Sequence, residues 1–350
     1  MRDVLAAITA WSERGDRVAL ATVIDIQRSA PRLPGAKMAV NERGEIAGAV
    51  SGGCVEGAVV EVAELVLGGG PPRLLHFGIA DSDAWDVGLP CGGEIDVWVQ
   101  AYEPGRLQEL ARADGRAVEV TLLEGARPGA KLVVEADGAR SGSLGAPELE
   151  HEAAKVAGEL LWTERSERRG ALFFDVLAPA PRLILFGAVD VAVSLCTLAR
   201  GAGWRAYVVD PRSRFARSER FPDAEEVIVA WPQEAIARLG GIDPATSIAV
   251  LTHDPKLDDA ALAIALRSPA RYVGAMGSRR TQARRRERLL AAGIAEHELA
   301  RLAAPVGLDL GAVSAAETAL SILAEVVAAR HGRDGGRLAL ARGRIHALPA

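Results

Sequence analysis

Apolar residues at Val4, Leu5, Ile8 and Trp11 recur with helical spacing, which predicts a helix over residues 2–14, and the β-branched run 17–26 predicts a strand after it. Shorter strands are expected over 36–41 and 44–50. A helix is expected over 55–67, stopped by Gly68-Gly69-Gly70-Pro71-Pro72, with further strands over 73–77 and 94–101. Two stretches break the pattern. Residues 27–35 hold two prolines and two arginines and read as a stiff, exposed, positive loop, while 81–91 is acidic and aperiodic around Trp85. In the middle of the chain, strands are expected over 117–123, 131–135 and 171–176, with a helix over 147–163.

The pattern changes after Ala178-Pro179-Ala180-Pro181, where alternating prolines hold a short hinge extended. Apolar strands over 182–186, 205–209, 226–230, 247–252 and 272–274 are interspersed with helical segments over 191–200, 257–267 and 279–291, the signature of βαβ units. A last helix is expected over 315–330, with Ser314 and Glu317 in capping-box register. The fold class is therefore α/β: an N-terminal mixed α/β domain plus a C-terminal Rossmann-like doubly wound parallel sheet. Expected domains are 1–104, a connecting α+β module and hinge over 105–180, the sheet domain over 181–330 and a flexible tail over 331–350. No internal repeat is found at solenoid spacing.

Composition narrows the function classes. Nearly half the residues are apolar and a quarter charged, the profile of a soluble globular chain. A formal charge of −5 without a basic domain argues against nucleic acid, and no apolar run nears the ~18 residues of a membrane span. Three cysteines and no basic-then-apolar leader point to a reducing cytoplasm. Only Lys37, Lys131, Lys155 and Lys256 are lysine among many arginines, a hint of particular geometric needs.

Candidate chemistry sits in glycine turns. Ser51-Gly52-Gly53-Cys54-Val55-Glu56 delivers a cysteine to the start of a helix, where unpaired N–H groups favour thiolate, and Cys91-Gly92-Gly93 repeats the device. Paired glycines leave backbone bare for a ligand; alternatively, Cys54 is a small buried apolar residue. In the C-terminal half, Gly187-Ala188-Val189-Asp190 follows the first strand where a dinucleotide fingerprint G-x-G-x-x-G would lie. Val189 fills the gap of its second glycine, and Asp190 can occupy the anion site, although Asp210 stands where a ribose-binding acid belongs. His253 follows a later strand as a candidate acid or base, or as a histidine satisfied by Asp254. Gly277-Ser278-Arg279 opens a helix in a manner suited to phosphate or carboxylate, or merely caps it. Six arginines among residues 279–288 read as a solvated face.

Together these motifs resemble the xanthine dehydrogenase accessory family, XdhC/CoxI. In the N-terminal half the resemblance rests on Pro31-Arg32-Leu33-Pro34-Gly35-Ala36-Lys37-Met38, on the Ser51–Glu56 turn and on Leu89-Pro90-Cys91-Gly92-Gly93. In the C-terminal half it rests on Arg220-Phe221-Pro222, Leu251-Thr252-His253-Asp254-Pro255-Lys256, Gly274-Ala275-Met276-Gly277-Ser278-Arg279-Arg280-Thr281 and Pro305-Val306-Gly307-Leu308-Asp309-Leu310-Gly311. The family's usual Gly-Ala-Gly-His is absent at Gly187–Asp190. The resemblance implies an accessory chaperone, rather than a self-standing enzyme, that binds molybdenum cofactor (molybdopterin), protects it during sulfuration and passes it to a molybdenum hydroxylase of the xanthine dehydrogenase or carbon monoxide dehydrogenase type. A cysteine desulfurase is an expected further partner, and a homodimer the expected assembly. By the same resemblance Cys54 and Cys91 become the cofactor-binding candidates.

The residue chemistry agrees in kind. An anionic, phosphate-bearing pterin dithiolene calls for soft sulfur at the metal and for cations and backbone N–H groups at the phosphate. Cys54 and Cys91 would supply sulfur to molybdenum; Arg28, Arg32 and Lys37 would supply charge, and Glu56 would tune the local proton balance. Ser51, Gly52, Gly53, Gly92 and Gly93 would let the cofactor approach. Alternatives are an NAD(P)-dependent oxidoreductase built on Gly187, Asp210, His253, Gly277, Ser278 and Arg279, a zinc site from Cys54, Cys91 and His76, and a docking adaptor in which both cysteines are structural.

Overall fold

A computed structural model describes residues 1–28, 32–78 and 93–341. The chain forms two compact units, Met1–Pro179 and Ala180–Ala350, divided within the proline hinge. No helix among the described residues is long and apolar enough to cross a membrane.

The first unit begins with α1 (Arg2–Glu13), whose Val4, Ile8 and Trp11 bury one face, then β1 (Val18–Gln27), β2 (Lys37–Asn41), β3 (Ile46–Gly48), α2 (Glu56–Leu67), β4 (Arg73–Phe77) and β5 (Glu94–Ala101). These strands make an antiparallel sheet in the order β3-β2-β1-β5-β4. The same series then recurs as α3 (Arg106–Arg112), β6 (Ala117–Leu122), β7 (Lys131–Glu135), β8 (Arg140–Gly142), α4 (Pro147–Leu160), β9 (Glu167–Arg169) and β10 (Leu172–Leu177). Its sheet has the order β8-β7-β6-β10-β9, the first order repeated strand for strand. The unit is a structural duplication.

Register makes the match residue by residue. Thr22 pairs with Lys37 as Thr121 pairs with Lys131, and Met38 pairs with Gly48 as Leu132 pairs with Gly142. Pro34-Gly35-Ala36-Lys37 thus corresponds to Pro128-Gly129-Ala130-Lys131. Gly48 and Gly142 both have positive φ, and a Cβ on either would run into the carbonyl oxygen of its own repeat's lysine, Lys37 or Lys131.

The two sheets meet through equivalent residues. Ile24 and Leu123, Trp98 and Phe173 form one buried cluster, each side chain worth about 1.5–3 kcal/mol when taken from water. Beside it lies a cavity of about 10 Å³, lined by both lysines and by the equivalent pair Thr22 and Thr121. One lysine crosses the divide: Lys37 Nζ lies 2.8 Å from Asp175 Oδ2 and 3.1 Å from Thr22 Oγ1, with both charged side chains buried. Lys131 turns to Glu119 of its own repeat at 2.7 Å.

The second unit alternates β11 (Arg182–Phe186), α5 (Asp190–Gly201), β12 (Arg205–Val209), β13 (Glu226–Ile228), α6 (Pro232–Arg238), β14 (Thr246–Val250), α7 (Pro255–Arg267), β15 (Tyr272–Ala275), α8 (Arg279–Ala291), α9 (Glu296–Leu299), β16 (Leu302–Ala303) and α10 (Ala315–Arg330). All six strands are parallel, in the order β13-β12-β11-β14-β15-β16, with apolar clusters on both faces of the sheet. This is the doubly wound Rossmann arrangement. The capping box at Ser314 and Glu317 forms, with Glu317 also accepting from the Val313 amide at 2.9 Å.

Candidate functional site

The turn carrying Cys54 lies between β3 and α2. Gly52 and Gly53 take φ values of 112° and 116°, which turn successive N–H groups inward. Those N–H groups are not left for a ligand. The Glu56 carboxylate accepts from Ser51 N at 2.8 Å, Gly52 N at 2.9 Å, Gly53 N at 2.8 Å, Val55 N at 3.2 Å and Ser51 Oγ at 2.6 Å. Ser51 Oγ in turn accepts from the amides of Cys54 and Val55. Burial alone pushes the Glu56 carboxyl up, yet the hydrogen bonds from Ser51 and Gly52 overcome this and hold it at about 2. Glu56 is therefore the loop's internal anion. Gly52 and Gly53 leave open space beside the backbone, so a ligand can approach them, while their N–H groups are already engaged by Glu56.

Cys54 itself is exposed, so the buried alternative is withdrawn. It precedes the N-cap Val55 and so stands just outside the helix rather than in its first turn. Cys91 and Gly92 lie outside the described residues, and Gly93 is buried at the edge of β5. His76 binds Asp96 through Nδ1 at 2.7 Å, and no group of three or more metal-ligating side chains is found among the described residues.

The expected cations are mostly committed. Lys37 is buried on Asp175, whose carboxyl burial pushes up but Lys37 draws below its ordinary value. Arg32 is paired with Asp3 at 3.0 Å. Arg28, at φ 62°, stays exposed. Of the three, Arg28 alone has no ion-pair partner among the described residues.

In the second unit the sheet brings Gly187, Asp210, His253 and Gly277–Arg279 to the carboxyl edge of adjacent strands, where doubly wound sheets bind ligands. Several of these side chains already have internal work. Asp210 is fully buried and accepts from Ala188 N at 2.9 Å, from Arg212 N and Nε at 2.9 Å and from Arg212 Nη2 at 2.7 Å. Burial raises its pKa, but Arg212 and the Ala188 amide bring it below the ordinary value. Neither oxygen is free for a ribose. Gly187, φ 119°, makes room for the Thr252 side chain rather than for a pyrophosphate. Asp190, in the first turn of α5, is exposed and pairs with Arg220 at 3.1 Å. Ser278 caps α8 by accepting from Thr281 N at 3.2 Å, while His253 and Arg279 remain exposed.

Sequence reading missed two groups here. Arg285, assigned to a solvated face, is buried, meets Asp258 at 2.8 Å and binds the Met276 carbonyl, which fixes the Gly274–Ser278 turn. Arg212 was passed over although it stands two positions beyond Asp210. An arginine so close to an acid at a strand end was the available signal.

Comparison with known proteins gives the lineage. A family model described as the XdhC Rossmann domain matches residues 183–326, and that of the XdhC and CoxI family matches 11–78 and 110–172. The chain belongs to the XdhC/CoxI family. Within it, the XdhC-type chain is 27% identical over 330 residues to a probable xanthine dehydrogenase subunit of Bacillus subtilis (strain 168), covering 92% of this chain and 96% of that protein. It is 29% identical over 318 residues to the molybdenum cofactor insertion chaperone PaoD of Escherichia coli (strain K12), covering 90% and 84%. A crystal structure of a xanthine dehydrogenase from Bacillus halodurans superposes with a TM-score of 0.69 at 25% identity, covering 96% of this chain and 97% of that one.

Proposed function

We propose that this XdhC-type chain is an accessory chaperone that carries molybdenum cofactor as cargo, shields it during sulfuration and passes it to a molybdenum hydroxylase of the xanthine dehydrogenase or carbon monoxide dehydrogenase type. The observation that carries the reading is the state of the two described cysteines. Cys54 is exposed on a turn fixed by its own carboxylate, whereas Cys196 is buried and its thiol is pushed up to about 12 by burial first and Asp223 second. A soft, accessible sulfur on a preordered loop suits a molybdenum centre. The donor set fits the metal end of the cargo better than the phosphate end, because Glu56 takes the inward N–H groups and, of the three expected cations, Arg28 alone lacks a partner among the described residues.

Cys91 is proposed as the second sulfur, a cysteine desulfurase as the sulfur source, and a cytoplasmic homodimer as the working form. The relative PaoD supports the insertion role by its name. The full chain, purified from cells that make molybdenum cofactor, is assayed for molybdenum and for the fluorescent oxidised pterin. Cys54→Ser is expected to lose bound molybdenum with unchanged melting, while Cys196→Ala retains it. Equal retention by Cys54→Ser removes the assignment.

A further inference from the structure

The duplication exposes a difference between the two repeats. In the first, twelve-residue α1 covers the outer face of its sheet, packing Val4 and Ile8 on Leu20 and Ala39, and Val4 lies against Gly48. In the second, α3 has seven residues, and the atoms nearest to a Cβ on Gly142 are those of the strand beside it, with no helix side chain among them. A cavity of about 280 Å³ lies where the longer helix would run. Its walls have changed character to match. Leu20 and Ala47 of the first repeat correspond to Glu119 and Ser141 of the second, and both of these line the cavity with Lys131 and Tyr102.

Polar walls restrict the occupant. Tyr102 Oη and Ser141 Oγ are buried with no hydrogen-bond partner among the described residues, a state that hydroxyl groups rarely hold without a ligand or water. Glu119 spends one oxygen on Lys131 at 2.7 Å, and its second oxygen has no partner among the described residues. Lining Arg106 is satisfied by Glu135 at 2.7 and 2.8 Å and by Glu109 at 3.0 Å. Both lining side-chain cations are thus neutralised, the lining Met1 amino group is drawn down to about 6 chiefly by burial and so is mostly neutral near pH 7, and exposed Glu103 adds negative charge, so an anion is disfavoured. Hydroxyl donors and a carboxylate acceptor lining one cavity suit a ligand that carries both a carbonyl and an N–H, and apolar Leu107 and Val133 suit a ring face.

We propose that this cavity binds an uncharged fused-ring heterocycle bearing a lactam edge, of purine or pterin size, at a site separate from the Cys54 turn. Carbonyl and N–H of the lactam would engage the hydroxyl groups of Tyr102 and Ser141 and the carboxylate of Glu119.

Isothermal titration of the full chain with hypoxanthine, pterin and adenine tests this, adenine having no lactam. A lactam base is expected to bind at least about tenfold more tightly than adenine, and the tighter of hypoxanthine and pterin tells a purine source from a pterin one. Tyr102→Phe and Ser141→Ala are expected to weaken that binding about three- to tenfold while leaving the melting temperature unchanged or higher, because each deletes an unpartnered buried hydroxyl. Failure of both lactams to bind near 1 mM, equal affinity for adenine, or affinity unmoved in both variants overturns the proposal. Cys54→Ser should leave lactam binding intact, so this site and the cargo reading fail independently.

Discussion

Replacing Glu56 by glutamine tests the account of the Cys54 turn most directly. Five donors converge on that carboxylate, and an amide offers one acceptor oxygen and turns an NH₂ towards the others. Held at about 2 against an ordinary 4.5, the carboxyl stabilises the turn by no more than about 3 kcal/mol. Because the group is only partly buried, solvent screening reduces this to about 1–2 kcal/mol. Amide hydrogen exchange over residues 49–58 should then run about five- to thirtyfold faster in the variant near pH 7. A depressed acid contributes its stability above the unfolded value and loses it as pH falls through the folded one. The ratio of variant to wild-type exchange should therefore be full above about pH 4.5 and shrink towards one near pH 2. A ratio near one at neutral pH, or one that ignores pH, refutes the reasoning.

Other outcomes follow from the duplication. Lys37→Met leaves Asp175 buried and unpaired and is expected to lower stability by about 3–5 kcal/mol in denaturant titrations, whereas Lys131→Met, at the more exposed pair, costs about 1 kcal/mol or less. Gly48→Ala and Gly142→Ala should each destabilise by about 1–3 kcal/mol or more, since each combines positive φ with a clash on the equivalent carbonyl, and Gly48→Ala by the larger amount because its Cβ also meets Val4; a larger melting shift for Gly142→Ala, or none for either, would count against the reasoning.

Most long elements were legible because their apolar periodicity was clean. Residues 2–14 became Arg2–Glu13, residues 315–330 became Ala315–Arg330 with its capping box, and the strands of the parallel sheet fell where branched apolar runs stood. Short edge elements were missed. β9 reads Glu-Arg-Arg, and such charge protects an edge without leaving a hydrophobic signal. α3 and α9 are too short for a moment to show. The duplication was written in Pro-Gly-Ala-Lys occurring twice, but its period is far longer than a solenoid's. At the Cys54 turn the cysteine was found and its exposure was open; the fate of the N–H groups was not legible, because which acceptor wins depends on a carboxylate folding back over two glycines. Asp210 was placed correctly at a strand end, yet only coordinates show Arg212 closing on it.

A twofold assembly of separate protomers must carry every change on both sides of its axis. Here the paired halves are one polypeptide, and each position evolves singly. Glu148 corresponds in position to Cys54, while Glu150 repeats the Glu56 grip on the preceding loop through Ser143 Oγ at 2.6 Å and Leu144 N at 2.9 Å. The framework of the thiol turn is thus present twice, and its sulfur once. If cargo is loaded at that turn as proposed, the stoichiometry is one per chain, set by the covalent join rather than by any partner.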